Sequence, residues 1–370
     1  MALAVEPEAE TVLDDRYEIQ TVLGHGGMGT AYQAFDRERH ETVVLKTIRQ
    51  EPGGATPEND SLVRAEIKMV RRVHHPHVGR VYEYGAHDGL RYIVTELVGG
   101  EGLRAVGAES GTPLQRADAA CRMALQICGG LAAIHDAGCV HGDLRPSNVM
   151  VDADGVIRLV DFGIAPLLAA ATSGALWGTR EYMSPEQSSG QIVDPRSDIY
   201  SLGLVFLERL TGRLPGLGWL EAEVPAPVLP VLFRALAIRP EDRFATAAAM
   251  ATAIREAMGE LYRADDRLVR LVGDLRDGDA DRRWRAALGL VELGPAAAPT
   301  VDALITALDD TDGLVRSAAA SALVSIGRPA VPALLAAMMS PLPSIRFLAA
   351  EALTRMGMVP RRRPVRAGVS

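Results

Sequence analysis

Residues 140–165 read VHGDLRPSNVMVDADGVIRLVDFGIA, and this stretch decides the fold. It holds His141-x-Asp143, with Asn148 five residues after that Asp and Asp161-Phe162-Gly163 starting eighteen residues after it. Two short apolar runs, Val149 to Val151 and Val156 to Val160, are split by the turn-forming Asp152-Ala153-Asp154-Gly155. Turn residues between apolar runs of this length predict a β-hairpin. The hairpin puts Asp143 and Asn148 on the loop that enters it and Asp161 on the loop that leaves it. Three oxygen-bearing side chains then meet at one end of a small sheet, a set that suits a hard cation such as Mg²⁺ shared with substrate phosphates. Taken alone, the same carboxylates would equally serve as solvated residues capping a hairpin.

Working upstream, strand-like runs follow one another: YEIQTVL from Tyr17, TAYQAFDRE from Thr30 and ETVVLKTI from Glu41. Between the first two lies Gly24-His25-Gly26-Gly27-Met28-Gly29, a G-x-G-x-x-G. That pattern could open a Rossmann unit, but a Rossmann unit needs a helix next, and TAYQAF reads as a strand. A glycine-rich hairpin instead lets backbone N–H groups approach phosphates. Lys46 ends the apolar run Val43-Val44-Leu45 and is one of only two lysines, with Lys68, among 39 basic residues. A helix is expected over Asp60 to Val73, carrying Glu66.

With these pieces in hand, the chain resembles the protein kinases, specifically the bacterial Ser/Thr (Hanks) type. HGDLRPSN looks like their catalytic loop, DFG like their metal-binding loop, and the glycine-rich hairpin and Lys46 like their nucleotide site. The resemblance implies an α+β, two-lobed protein kinase-like fold that binds ATP with Mg²⁺, Mn²⁺ being the alternative ion. It implies that Asp143 orients the acceptor hydroxyl and takes its proton, that Lys46 binds the α- and β-phosphates, and that Asn148 and Asp161 hold the metal. Glu66 matches the carboxylate that pairs with the lysine, although glutamates are common on helix surfaces. Nucleotide contacts are expected from Leu23, Gly24, His25, Gly26, Gly27, Met28, Gly29, Ala31, Val44, Lys46, Thr95 as gatekeeper, the hinge backbone of Glu96 and Val98, and Met150.

Several positions depart from the family pattern. Where the family has Val over the adenine this chain has Ala31, and where it has Ala this chain has Val44. The large and small residues have changed places, so the summed volume is kept, the kind of swap that is tolerated best. The arginine between His and Asp is Gly142, which puts activation by loop phosphorylation in doubt. The family lysine two after the Asp is Arg145, a charge of different geometry that stays in the catalytic set. Thr172 and Ser173 are candidate phosphosites in an activation segment from Ile164 to Tyr182, and Gly178-Thr179 resembles the substrate-facing loop. Glu186 in Ser184-Pro185-Glu186 is expected to pair with Arg243, and Asp198 to hold the catalytic loop's backbone. Leu214 to Pro230, dotted with Pro and Gly, reads as a shortened substrate-docking region.

Past Ala264 the composition shifts. RWRAALGLVELG, RSAAASALVSIG and RFLAAEALTRMG align, with Arg283, Arg316 and Arg346 recurring and Gly294, Gly327 and Gly357 ending each Ala/Leu helix. Second helices are expected at Thr300 to Leu308 and Val331 to Met339. A repeat of helix pairs at this length predicts a short all-α solenoid and resembles HEAT repeats. A plain helical extension of the preceding lobe is the alternative. The division expected is a tail over 1–14, a kinase domain over 15–262 (lobes 15–98 and 99–262), a HEAT-like domain over 263–360 and a basic tail over 361–370.

The chain has 370 residues, 48% of them apolar, and a formal charge of −8. The charge argues against nucleic acid as a general partner. Without a continuous run of 18 apolar residues or a secretory pattern, a cytoplasmic protein with no membrane partner is expected. Cys121, Cys128 and Cys139 lack metal-ligand spacing, and Cys121 and Cys128, seven apart in an apparent helix, read as core. The function expected is Ser/Thr protein phosphorylation on a protein substrate, with the repeats binding a protein partner or regulating the kinase lobe. Two alternatives stand beside it: a weakly active or inactive nucleotide-binding scaffold, and a small-molecule kinase, which would lack S-P-E and its arginine.

Overall fold

The computed structural model describes residues 7, 10–26, 29–48, 57–105, 112–162, 180–213 and 224–358, with only the backbone of residues 26, 57–60, 62, 66, 113 and 180. The chain divides into two compact units, Met1–Met258 and Gly259–Ser370.

In the first unit, β1 (Val12–Leu13), β2 (Tyr17–Gly26), β3 (Gly29–Asp36), β4 (Glu41–Ile48), β5 (Val81–His87) and β6 (Leu90–Glu96) form an antiparallel sheet of order β1-β2-β3-β4-β6-β5. Strict alternation of half-buried and buried residues along β3 and through the middle of β4 gives the sheet one core face. Tyr17, Ile19, Tyr32, Ala34, Val43, Leu45, Tyr92 and Val94 fill it. Helix α1 spans Pro57–Val70. It begins three residues before the expected start, because a proline is well suited to a helix's first turn, where its missing N–H is not needed.

Part of the expected flexible tail is ordered. Val12 and Leu13 pair with Glu18 and Tyr17, and Leu13 is buried. A turn at Asp14-Asp15 makes this possible, both residues at positive φ, with the Asp14 carboxylate accepting from Tyr92 Oη and contacting His87 Nδ1.

After the short strand β7 (Glu101–Gly102), α2 runs Pro113–Asp136. A capping box starts it: Gln115 N donates to Thr112 Oγ1 at 3.2 Å, and Thr112 N donates to Gln115 Oε1 at 2.8 Å. The expected hairpin forms as β8 (Val149–Val151) and β9 (Ile157–Leu159), with β7 completing a three-stranded sheet. Helices α3 (Pro185–Ser188), α4 (Pro195–Thr211), α5 (Leu229–Ala235) and α6 (Ala247–Asp274) follow, the division between units falling inside α6. Residues 163–179 and 214–223, which carry the activation segment with Thr172, Ser173, Gly178 and Thr179 and most of the shortened docking region, lie outside the described residues. So does the basic tail.

The second unit repeats a helix, a 3₁₀ turn and a shorter helix: α7 (Ala280–Leu293) with α8 (Val301–Ala307), α9 (Gly313–Ile326) with α10 (Val331–Ala337), then α11 (Pro343–Arg355). Gly294, Gly327 and Gly357 follow the three longer helices at φ of 54°, 78° and 75°, a conformation costly for any residue with a Cβ. Ala287, Leu290, Leu304, Ala319, Leu323, Leu334, Ala349 and Leu353 form its core. Leu114–Asp136 and Ala280–Ala307 are long and apolar enough, by length and composition, to cross a membrane, although neither is a continuous apolar run. The first packs Ala120, Cys121, Ala124, Ile127, Leu131 and Ile134 into its unit, fully buried. Burial pushes the Cys121 and Cys128 thiols up to about 12, which leaves them inert core groups.

Candidate active site

The sheet register brings the nucleotide-site candidates to one face. Ala31 lies opposite Lys46, and Val44 opposite Thr95; Val44 and Lys46, two apart on β4, point the same way. All four are half-buried, on the side of the sheet away from its core. At the end of β2 and β3, Gly26 pairs with Gly29. Gly29 sits at φ +148°, and a Cβ there would lie 1.9 Å from the Thr47 carbonyl oxygen. No other residue fits that close approach of two strands. Leu23, Gly24 and His25 are exposed on β2, with His25 Nδ1 3.1 Å from Thr30 Oγ1. Gly27 and Met28 lie outside the described residues.

At the hinge, Glu96 is held more firmly than its expected backbone role requires. Its N–H donates to Arg80 O at 2.8 Å, its carboxylate accepts from Arg80 N at 3.0 Å, and Arg158 on β9 pairs with the same carboxylate. Of its backbone groups only the carbonyl could then face an adenine edge. Val98 is half-buried, and Met150 on β8 pairs with Gly102 and Arg158.

The hairpin delivers the polar cluster as its sequence implied. Asn148 ends a 3₁₀ turn over Pro146–Asn148 and is buried. Its Nδ2 donates to Asp143 O at 2.7 Å and to Asp143 Oδ2 at 3.0 Å. The amide nitrogen is thereby used, and Oδ1, reached only loosely by the Ser147 hydroxyl at 3.4 Å, is the end left for a cation. Asp161 follows β9 at φ +65°, an uncommon conformation for a residue with a side chain. Lys46 Nζ, from the sheet of the other lobe, forms an ion pair with Asp161 Oδ1. Lys46 was expected to pair with Glu66 as well; Glu66 lies on α1, and its side chain is outside the described residues. Arg145 Nε is 3.4 Å from Asp143 Oδ2. Burial pushes the Asp143 carboxyl above the usual range, against the pull of Arg145, His141 and Asn148.

The Asp161 carboxylate and the Asn148 amide oxygen fit a divalent cation whose remaining ligands come from phosphate and water. No cluster of three or more His, Cys, Asp or Glu occurs among the described residues, so protein side chains alone do not build a closed cage.

Behind these groups the catalytic loop is clamped from two sides. Asp198, buried on α4, accepts from His141 N and Gly142 N at 2.8 Å each, and contacts His135 Nε2 at 2.8 Å. Gln187 Nε2 donates to Gly142 O at 2.8 Å while Gln187 Oε1 accepts from Ser184 N at 3.0 Å. Gly142 itself is at φ +76°. Glycine adopts that conformation freely, whereas an arginine there would be strained. The sequence reading found Asp198 but missed Gln187. Ser184-x-x-Gln187 is a capping-box signature, which signals the start of α3 and says nothing of the second bond across to Gly142. Glu186 and Arg243 meet as expected: Arg243 Nη1 and Nη2 donate to the two carboxylate oxygens at 2.6 and 2.7 Å, with both side chains buried.

Comparison with known proteins agrees with this geometry. Residues 17–252 match the protein kinase domain family, and residues 270–354 match HEAT repeats. The serine/threonine-protein kinase PknB of Mycobacterium leprae (strain TN) is 34% identical over 330 residues, which cover 81% of this chain and 50% of that protein. PknL of Mycobacterium tuberculosis (strain ATCC 25618 / H37Rv) is 34% identical over 278 residues, covering 69% of each. The chain thus spans about half the length of the PknB relatives it matches. Among solved structures, the kinase domain of Mycobacterium tuberculosis PknI covers 68% of this chain and all of its own length, with 27% identity and a TM-score of 0.55.

Proposed function

The chain belongs to the protein kinase family and carries HEAT repeats beyond the kinase domain, and from that membership we propose that it transfers the γ-phosphoryl group of ATP to a serine or threonine hydroxyl of a protein. The observation that carries the reading is the Lys46–Asp161 pair: a lysine from the sheet lobe meets the metal-site carboxylate of the helical lobe, beside Asp143 and Asn148. A family that uses ATP and a divalent metal needs those groups around one triphosphate.

In this proposal Lys46 holds the α- and β-phosphates, and Asn148 Oδ1 and Asp161 hold Mg²⁺, or Mn²⁺ as the alternative. The bound cation supplies neutralisation of phosphate charge. Asp143, fixed by the Asn148 amide, points the acceptor hydroxyl at the phosphorus and takes its proton, and Arg145 adds positive charge next to Asp143. Catalysis is then positioning and charge stabilisation, which phosphoryl transfer mainly requires. The scaffold alternative gains no support, since Lys46, Asp143, Asn148 and Asp161 are all in place; the small-molecule alternative is disfavoured by the Glu186–Arg243 pair. A cytoplasmic site is part of the proposal, supported by the core packing of the apolar residues of α2, and fractionation of cells tests it. The direct test is incorporation of label from γ-labelled ATP with Mg²⁺ or Mn²⁺, followed by mapping of the labelled residues; no transfer with either ion refutes the reading.

Two substitutions probe its parts. Val44→Ala opens a void on the nucleotide face that Ala31 does not fill. It is expected to raise the dissociation constant for ATP ~10-fold, the loss of about 1.5 kcal/mol of apolar contact. An unchanged constant would mean that the adenine lies elsewhere. Gln187→Leu removes the donor to Gly142 O while keeping bulk. A lost bond to a buried carbonyl costs about 1–2 kcal/mol, so kcat is expected to fall roughly 10-fold while ATP affinity holds. A fall in ATP affinity with kcat intact would contradict the role given to the clamp.

A further inference from the structure

Glu96 ends β6, and its side chain is engaged more fully than a hinge requires. The groups that meet a base at such a point belong to the backbone, so any residue type would supply them. Here both carboxylate oxygens are in use: Oε2 accepts from Arg80 N at 3.0 Å, and Oε1 pairs with Arg158 Nη1. The Glu96 N–H is taken as well, by Arg80 O at 2.8 Å. The Arg158 and Glu96 side chains are 38% and 24% exposed. Ion pairs this exposed add little to stability, so the fold alone does not account for the pair.

Arg158 reaches Glu96 from β9, and β9 is itself bonded to the segment that carries Arg80. Leu159 N donates to His77 O at 2.9 Å, Gly79 N donates to Leu159 O at 2.8 Å, and His77 Nδ1 lies 2.9 Å from Ile157 O. A Cβ on Gly79 would lie 3.1 Å from Val98 Cγ2 and 3.3 Å from Val160 Cγ1, so the hinge and the residue after β9 close on this glycine together. Residues 77–80, the hinge and β9 thus form one bonded body, and Arg158 is its side-chain tie. Across the hairpin Arg158 stands opposite Met150, a residue expected to meet the nucleotide. Opposite residues share a face, so the tie runs along the side of the hairpin that Met150 occupies.

The consequence falls on the one group of Glu96 still open. With the N–H and both carboxylate oxygens held, the Glu96 Cα cannot roll, and roll is what would swing its carbonyl away from a base. What remains is a fixed acceptor with no donor beside it on the same residue. Adenine brings an amino group to such a point. Guanine brings a carbonyl oxygen at the same ring position, and two acceptors facing each other repel and leave both unpaired. A site that holds its hydrogen-bonding group rigidly rejects the mismatched ligand, whereas one free to tilt does so less well.

We propose that Arg158 is a positioning residue that sets the base preference of the nucleotide site: by clamping the Glu96 carboxylate it fixes a lone acceptor at the hinge, and so selects a purine with an amino group there over one with a carbonyl. Arg158 touches neither the base nor the phosphates in this role and acts through Glu96. The proposal rests on the nucleotide-binding reading of the site given above, and it concerns binding rather than transfer.

The test titrates the full chain calorimetrically with ATP and with GTP, each with Mg²⁺, beside Arg158→Met, Arg158→Lys and Glu96→Gln. The parent is expected to bind ATP ~10-fold or more tightly than GTP, the effect of one matched against one mismatched hydrogen bond. Arg158→Met, which keeps the bulk of the stem, should weaken ATP roughly 5-fold and leave GTP within about 2-fold, so that the preference shrinks. Arg158→Lys should restore most of it, because a cation again reaches Oε1. Glu96→Gln should resemble Arg158→Met, and the double variant should lose no more than either, as residues acting as a unit do. Glu96→Gln also keeps the test decisive if Arg158→Met fails to fold. Equal losses for ATP and GTP would make the pair structural, and unchanged binding would make it idle; either overturns the proposal. A parent without base preference overturns it and leaves the kinase reading standing, whereas a parent that binds neither nucleotide overturns both.

Discussion

Asp143→Asn is expected to lower phosphotransfer by about 10²–10⁴-fold, the range by which a positioned proton acceptor contributes, while ATP binds as before. The substitution keeps the size of the side chain and its place beside Asn148, whose Nδ2 still has the Asp143 carbonyl, 2.7 Å away, to donate to. It removes the one oxygen pair able both to orient a hydroxyl and to take its proton. Lys46 and Asp161, which meet each other rather than Asp143, should be undisturbed. The measurement is kcat from label incorporation beside the ATP dissociation constant from fluorescence. A variant that transfers phosphate at the parental rate would remove Asp143 from the mechanism, and one that no longer binds ATP would make its effect structural.

Arg243→Ala is expected to destabilise the first unit by about 3–5 kcal/mol, the cost of leaving a buried carboxylate without its partner. All five donors of Arg243 are engaged: Nε with Ala237 O, Nη1 with Glu186 and Arg196 O, Nη2 with Glu186 and Ile238 O. Glu186 also accepts from the Ser197 hydroxyl at 2.6 Å. Burial alone would push the Glu186 carboxyl up, but Arg243 and Ser197 outweigh it and hold the group at about 2, against an ordinary 4.5. A carboxyl depressed in the folded state stabilises the fold above its unfolded pKa. That contribution, about 3 kcal/mol, is lost as pH falls from 4.5 towards 2. Urea unfolding at pH 7 and pH 3 should therefore show a steep acid loss in the parent, and in Arg243→Ala a low stability without that part of the slope. A loss below 1 kcal/mol at pH 7 would mean that the pair is a bystander.

The structure agrees with the sequence reading most closely where the signal is local. The hairpin around Asp152 to Gly155, the glycine-closed helices of the repeats and the strand after the glycine-rich loop each follow from residues within a few positions of one another. The ordered strand at Val12–Leu13 was missed because two apolar residues are too short a run to stand out from an acidic tail. Helix α1 starts ahead of the apolar pattern because Pro57 fits a helix's first turn without belonging to that pattern. Gln187 was invisible for a different reason: a capping box accounts for its local bonds, and its bond to Gly142 joins residues 45 positions apart.

By itself, the amino-acid order determined the set of chemical groups and their local geometry: a lysine at a strand end, two acids and an amide around a hairpin, and an arginine repeated along helices closed by glycine. Turn residues and side-chain periodicity act over a few bonds, so their consequences can be read directly. Only the tertiary structure decided which of those groups meet. Lys46 and Asp161 are 115 residues apart, and their pairing depends on how two lobes close. Gly142 became intelligible only once its positive φ and its two clamps were visible. Arg283 and Asp310, 27 residues apart, meet because one repeat packs against the next, which no local pattern in the chain fixes.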